Sequence, residues 1–140
     1  MNKKSTGSYI LLLELNKNVE ILVGKLGKIN FKKGNYAYVG SALNGLESRI
    51  KRHLRKQKKI HWHIDYLLKK ANIVNVFYKE NEKRYECNIV QSLNKNLNEI
   101  VGFGCSDCNC KSHLFFGNFK QIIKIVTDLK MNQYPIDGKS

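Results

Sequence analysis

The segment Tyr38-Val39-Gly40-Ser41-Ala42-Leu43-Asn44-Gly45-Leu46-Glu47-Ser48-Arg49-Ile50-Lys51-Arg52-His53 constrains this chain more than any other. An aromatic strand end passes through small, turn-forming residues into a basic helix, so the two elements meet at a defined junction. A tyrosine leaving the strand and an arginine one helical turn beyond the loop can converge on one point, and both groups handle phosphate. Around this junction, 140 residues of 42% hydrophobic content suffice for one compact core, and a single domain over residues 1–140 is expected.

Ser8 to Leu15 is a strand-length apolar run ending at Asn16-Lys17-Asn18, and Val19 to Val23 follows as a second run; together they predict a β-hairpin. Gly24 to Gly34, basic and glycine-punctuated, predicts a loop or short edge strand. A third strand is expected at Asn35 to Val39, with Tyr36 and Tyr38 on one face by the two-residue repeat. Asn44-Gly45 opens a helix over Leu46 to Gln57. At about 100° per residue, Leu46, Ile50 and Leu54 form its core stripe, with Arg49 and His53 along the margin. Lys51, Arg55 and Lys58 fall on the outer face, and Arg52 and Lys56 between.

A second helix is expected over His61 to Ala71, with Ile60, Ile64, Leu67, Leu68 and Ala71 spaced for burial and His61 able to meet Asp65 one turn on. Ile73 to Tyr78 reads as a strand, and Arg84 to Asn96 as a third helix with Ile89, Val90, Leu93 and Leu97 inward. Extending that stripe backward lands on Glu86, an acid that either serves a site or sits favourably at the helix dipole. Val101 to His113 is a glycine- and cysteine-rich loop, and Leu114 to Phe116 a short strand. Phe119, Ile122, Ile123, Val126 and Leu129 mark a closing helix, and Tyr134 to Ser140 is expected to fray. This order predicts an α+β fold with a small, mainly antiparallel sheet flanked by helices.

A net charge of +14 exceeds what solubility needs and points to a polyanion, nucleic acid before a membrane surface. No window approaches the roughly 20 apolar residues of a membrane span, and Met1 to Ser8 lacks the apolar run of a signal peptide, so a cytoplasmic protein is expected. In such a chain, four cysteines favour metal binding or free thiols over disulfides. Cys105-x-x-Cys108-x-Cys110-x-x-His113 offers four soft ligands for structural zinc. The Cys-x-Cys spacing is tighter than common zinc modules use. The preferred reading is therefore a loop shaping a DNA surface, with Ser106 and backbone amides open to phosphate. His61 and His63 point about 200° apart on a helix, which favours packing over a metal cluster.

Taken singly, Tyr9, Tyr38 and Arg49 read as sheet aromatics and a solvated cation. Joined with His53 and Glu86, they supply a proton acceptor for water, a cation for phosphate oxygens and a carboxylate for a divalent metal. Those are the needs of phosphodiester hydrolysis.

Gly7-Ser8-Tyr9 and Tyr38-Val39-Gly40 resemble the two halves of the GIY-YIG nuclease signature, followed by Arg49 on the first helix and Glu86 on a later one. With His61-Trp62-His63-Ile64-Asp65-Tyr66, Glu86-Cys87 and Gly102-Phe103-Gly104-Cys105-Ser106-Asp107-Cys108, the span Gly7 to Phe116 is similar to a small prokaryotic branch of that superfamily. That branch is described as a domain of unknown function and is sometimes fused to an endonuclease III-like glycosylase. The resemblance implies a metal-dependent DNA endonuclease. Tyr38 would be the general base or the tyrosine positioning water, Tyr9 would assist at phosphate or water, and Arg49 would stabilise phosphate charge. Glu86 would hold one Mg²⁺ or Mn²⁺, and His53 would relay a proton or contact the phosphate.

Tyr36, Ser41, Arg52, Lys56 and Ser106 are expected along the DNA. The glycosylase association implies DNA repair by incision at abasic sites, with an endonuclease III-type glycosylase as partner. A structure-specific or restriction-type nuclease and a non-catalytic basic nucleic-acid-binding module are the alternatives. Two departures stand out: Ser8 replaces the isoleucine of the signature, and Val19 to Gly34 lengthens the interval between its halves. If that insertion displaces Tyr9, Tyr36 becomes the rival second tyrosine, because it shares a strand face with Tyr38.

Overall fold

Gly7–Leu15 forms the strand β1, in which Glu14 alone reaches solvent. An apolar run of this kind is stable as a strand only when both of its faces are covered and both of its edges are hydrogen-bonded. The computed structural model, which describes residues 5–42, 44–80, 86–104 and 112–136, meets both conditions. β4 (Gly34–Ala42) pairs antiparallel along one edge of β1 and β5 (Asn72–Glu80) along the other. Outside β4 lie β7 (Leu114–Gly117) and then β6 (Asn98–Glu99), and outside β5 lies β8 (Asn132–Tyr134). The six-stranded sheet thus has the order β6-β7-β4-β1-β5-β8, with every neighbouring pair antiparallel.

The two-residue alternation sorts side chains between two cores. Tyr9, Leu11 and Leu13 of β1, with Tyr36 and Tyr38 of β4, face α1 (Leu46–Leu54) and α2 (His63–Leu67). A separate hairpin, β2 (Val19–Leu22) with β3 (Lys28–Phe31), joins this layer through buried Val23 and Phe31. Ile10, Leu12, Ala37 and Val39 face the other way, against α3 (Glu86–Asn94) and α4 (Phe119–Asp128). The expected α+β fold, with its antiparallel sheet flanked by helices, is the one observed. The register sets Tyr9 opposite Gly40, and Gly7 opposite both Ala42 and Glu80. One end of the sheet therefore gathers Tyr9, the approach to α1 and the close of β5. No helix among the described residues is long and apolar enough to cross a membrane.

Several expectations are corrected. The hairpin predicted from Ser8–Leu15 and Val19–Val23 does not form, because both edges of β1 are taken; β2 pairs with β3 instead. The Asn18 side chain accepts the Lys33 N–H at 2.7 Å and closes the base of that hairpin. The first helix ends at Leu54 rather than Gln57: Arg55 is extended, and the Lys58 ammonium donates to the His53 and Arg55 carbonyls at the helix end. The second helix spans five residues rather than His61 to Ala71, since the Asp65 carboxylate takes the N–H groups of His61 and Trp62 and fixes the start after Trp62. In α4, Ile125 joins Ile122 and Val126 in the core while Phe119 is 45% exposed. Tyr134, expected in a frayed tail, instead belongs to β8, and its ring meets Tyr78. Residues 81–85, assigned to the approach and first turn of the third helix, lie outside the described residues.

Leu12 is fully buried between the central strand and α3 and α4. Leu12→Ala is expected to cost about 2–5 kcal/mol through the cavity it leaves. Val101→Ser, at a residue 72% exposed, should change stability by less than about 0.5 kcal/mol. Urea unfolding of both variants checks the contrast.

Candidate active site

α1 starts at a fixed place because Gly45 adopts φ 89°, in the left-handed region that glycine favours, and because the Leu46 N–H donates to the Ser5 carbonyl. From there Arg49 lies one turn in. Its guanidinium donates to the Ser41 carbonyl at 3.2 Å, bridging the end of β4 to the helix. Arg49 and Ser41, both expected at the site, are thus joined directly, with Ser41 contributing its backbone.

Tyr9 and His53 meet in the interior. Tyr9 is 1% exposed and His53 2%, and the Tyr9 hydroxyl lies 2.7 Å from His53 Nε2. The ring of Tyr9 crosses the face of Gly40, its register partner, where an added Cβ would overlap the hydroxyl and the ring carbons. Gly40 is therefore required for the close approach of an aromatic ring. Burial drives the His53 pKa down to about 3; neighbouring Asp65 opposes that shift, and Lys58, Arg52 and Arg49 reinforce it. The imidazole is consequently neutral at physiological pH, with Nδ1 buried and unpartnered among the described residues. Tyr38 completes the cluster: its ring packs edge-on to His53 at 6.1 Å and to Phe103 at 6.2 Å.

Trp62 links this cluster to the arginines. Its ring lies 5.7 Å from that of His53, with the Arg49 guanidinium 4.5 Å and the Arg52 guanidinium 4.3 Å from the indole centroid. Both distances are within cation–π range. Arg52, expected to contact DNA, instead spends its fork on Asp65, with two N–H···O contacts of 3.1 Å, and on the Lys59 carbonyl at 2.9 Å. Asp65 is buried. Desolvation alone would raise its pKa, but the bonds from Arg52, Trp62 and His61 outweigh it and hold the carboxyl below its usual range. The expected His61–Asp65 meeting occurs through the His61 main-chain N–H.

The remaining expected residues disperse. Tyr36 faces the same core as Tyr38, but its hydroxyl donates to the Lys32 carbonyl at 2.7 Å and burial pushes its pKa up to about 12. Lys56 is exposed beyond the end of α1, on the rim of a separate cavity of about 270 Å³. His113 is buried and donates Nδ1–H to the Val39 carbonyl at 3.2 Å. Cys105, Ser106, Cys108 and Cys110 lie outside the described residues, as does the side chain of Glu86, whose backbone begins α3.

Trp62 has no role assigned from sequence, whereas His63 is expected there to pack rather than to bind metal. His63 Nδ1 accepts the Gly104 N–H at 2.9 Å, tying α2 to the loop after β6. The Trp-x-x-Asp spacing, an acid three residues after a helix start, was the available signal.

Arg49, Lys51, Arg52 and Arg55 line a groove of about 540 Å³ along the outer side of α1, together with Asn44 and Ser48. Among the described residues that line it, four are cations and none is an acid, so the surface is strongly positive. Among the described residues, no group of three His, Cys, Asp or Glu side chains is placed to hold a metal ion. A hard divalent cation that keeps most of its waters and binds phosphate oxygens needs only one or two carboxylates.

A family model described as the domain of unknown function DUF123 matches residues 8–133. None of the curated proteins and none of the solved structures matches the chain.

Two outcomes follow from the buried pair. The folded His53 pKa near 3 lies below the unfolded value of about 6.5, so below pH 6.5 the unfolded chain binds more protons. Stability present at pH 7 is then lost as pH falls, by about 1.4 kcal/mol per unit toward pH 3. Urea unfolding at pH 7 and pH 5 should show this slope, and His53→Gln should flatten it. Gly40→Ala should destabilise the protein by about 1–3 kcal/mol and, by NMR, break the Tyr9–His53 bond.

Proposed function

The chain belongs to the family of the domain of unknown function DUF123, and from that premise we propose that it is a metal-dependent DNA endonuclease acting in DNA repair, with abasic sites as substrate. The observation that carries this reading is Arg49, held by the Ser41 carbonyl and Trp62 at the mouth of a basic groove, one turn from the Tyr9–His53–Tyr38 cluster. The likeness of Gly7-Ser8-Tyr9 and Tyr38-Val39-Gly40 to the GIY-YIG signature supports it independently.

In this reading the groove draws the phosphate backbone by charge. Arg49 meets the non-bridging oxygens with the N–H groups not used on Ser41 and stabilises the charge that grows there. Tyr38 takes the proton of the attacking water or aligns that water. Tyr9 and His53 are too deeply buried to touch substrate; bonded to each other through the Tyr9 hydroxyl and His53 Nε2, their part is to hold the Tyr38 side of the site. Glu86 is the residue assigned to one Mg²⁺ or Mn²⁺, which when bound adds positive charge at the scissile phosphate. An abasic nucleotide is cheaply extruded from the stack, which suits a small nuclease reading flexibility rather than sequence. A glycosylase of the endonuclease III type, which leaves such sites, is the natural partner, and a cytoplasmic location beside the DNA goes with this role.

The test is incision of intact, abasic, flap and mismatched duplexes with Mg²⁺, Mn²⁺ or chelator. Tyr38→Phe, Arg49→Ala and Glu86→Gln are each expected to slow cleavage about 10²-fold or more while DNA affinity stays within a few-fold. Cleavage confined to the abasic duplex is the expected result, and equal cutting of intact DNA would point to a restriction-type nuclease. Salt-sensitive binding without cleavage in any metal would leave a basic nucleic-acid-binding module.

A further inference from the structure

The two arginines on the inner side of the groove are used differently, although they are three residues apart on α1 and share one indole. Arg52 donates twice to Asp65 and once to the Lys59 carbonyl. Arg49 has one hydrogen bond within the described residues, to the Ser41 carbonyl, and its other N–H groups are uncommitted. Asp65 accepts four N–H groups: two from Arg52 and the main-chain amides of His61 and Trp62. Its side chain is fully buried, and that of Arg52 is 19% exposed.

A buried ion pair is weak evidence for stability, because desolvation offsets its attraction. What it does provide is geometry. Here the same carboxylate fixes the Arg52 fork and the backbone that carries Trp62, and so fixes the indole against which Arg49 lies.

We propose that Asp65 is a positioning residue: through Arg52 and Trp62 it holds the Arg49 guanidinium in place at the Ser41 end of β4, with its free N–H groups presented to a single DNA phosphate. The proposal rests on the endonuclease reading for its consequence in catalysis, and on anion binding at Arg49 alone for its physical content. Arg52 is then the fixed cation that never leaves the protein, and Arg49 the one that exchanges part of its contact with Trp62 for phosphate. The division follows from chemistry: a guanidinium already bound in bidentate fashion has its best donor edge occupied, whereas one leaning on an aromatic face keeps its edge open.

Trp62 is the single tryptophan, so its emission reports this contact whether or not the protein cuts DNA. The experiment compares wild type, Arg49→Ala, Trp62→Phe, Trp62→Leu and the double variant Arg52→Met with Asp65→Asn. The double variant removes both charges together and keeps a side-chain oxygen for the His61 and Trp62 amides, so it carries no unpaired buried charge. Circular dichroism and melting check that each variant is folded.

A short abasic duplex is expected to change Trp62 emission in wild type and not in Arg49→Ala. In the double variant the emission should be altered before DNA is added, and its response to DNA reduced. Single-turnover cleavage by the double variant at saturating protein should fall about 10²-fold with DNA affinity within a few-fold, a split that a purely structural role would not produce. Trp62→Phe, which keeps an aromatic face, should retain most of the rate that Trp62→Leu loses.

Wild-type cleavage by the double variant would overturn the proposal and leave the endonuclease reading intact. So would a loss of cleavage with Trp62 emission and its DNA response unchanged. If wild type cuts none of the duplexes but the emission results hold, the endonuclease reading fails and the positioning of Arg49 stands. If the emission results also fail, both fall.

Discussion

The closure of β1 on both edges and both faces is the constraint on which the rest of the structure depends. A strand with no free edge and an apolar residue at nearly every position leaves a polar group on its buried faces no route to water. Tyr9 is such a residue. Its hydroxyl is carried into the interior, and the partner it finds is His53, delivered by α1. Its ring needs the space over Gly40. Residues that look like a catalytic signature are therefore first a packing solution: the glycine serves the tyrosine, and the tyrosine serves the histidine.

The same burial fixes the charge state of His53. A histidine that contacts phosphate is most useful as a cation, but this imidazole is desolvated and ringed by Lys58, Arg52 and Arg49, with Asp65 as the opposing charge. It stays neutral and so supplies no positive charge of its own. The arginines beside it carry the positive charge, and the structure separates them by what they already hold. Arg52 is closed by Asp65, whereas Arg49 leans on Trp62 and a main-chain carbonyl.

The apolar run of β1, the core stripes of α1 and α3, and the two-residue alternation that groups Tyr36 with Tyr38 are legible because hydrophobic patterning records burial directly. The positions of Arg49 and His53 on one helix were legible for the same reason. The pairing of β2 with β3 was not, since local turn residues cannot tell that β1 already has two partners. Helix ends differ from the periodic expectation where a nearby polar side chain takes the terminal backbone groups, Lys58 just past the end of α1 and Asp65 in the first turn of α2. The commitment of Arg52 was also hidden. Helix periodicity sets Arg49 on the margin, Arg55 outside and Arg52 between, but it does not show that an acid from another helix engages Arg52.

The segment between the two halves of the tyrosine motif shows why spacing in sequence is a poor guide to spacing in a sheet. Leu15 and Gly34 are register partners, so the chain leaves β1 and re-enters β4 at the same rung. The intervening residues cost loop closure but no strand register. They also contribute to the core: Val23 and Phe31 are buried, Gly24 lies against Tyr66, and Leu26 reaches Gly102. Tyr9 is therefore not displaced by the insertion. The re-entry point also disposes of its rival, because Lys32 offers its carbonyl to the Tyr36 hydroxyl just before β4 begins. With that phenol bonded, buried and raised to about 12, Tyr36 cannot act as a proton acceptor near neutral pH. Of the two tyrosines that could accompany Tyr38, the one that reaches His53 is Tyr9.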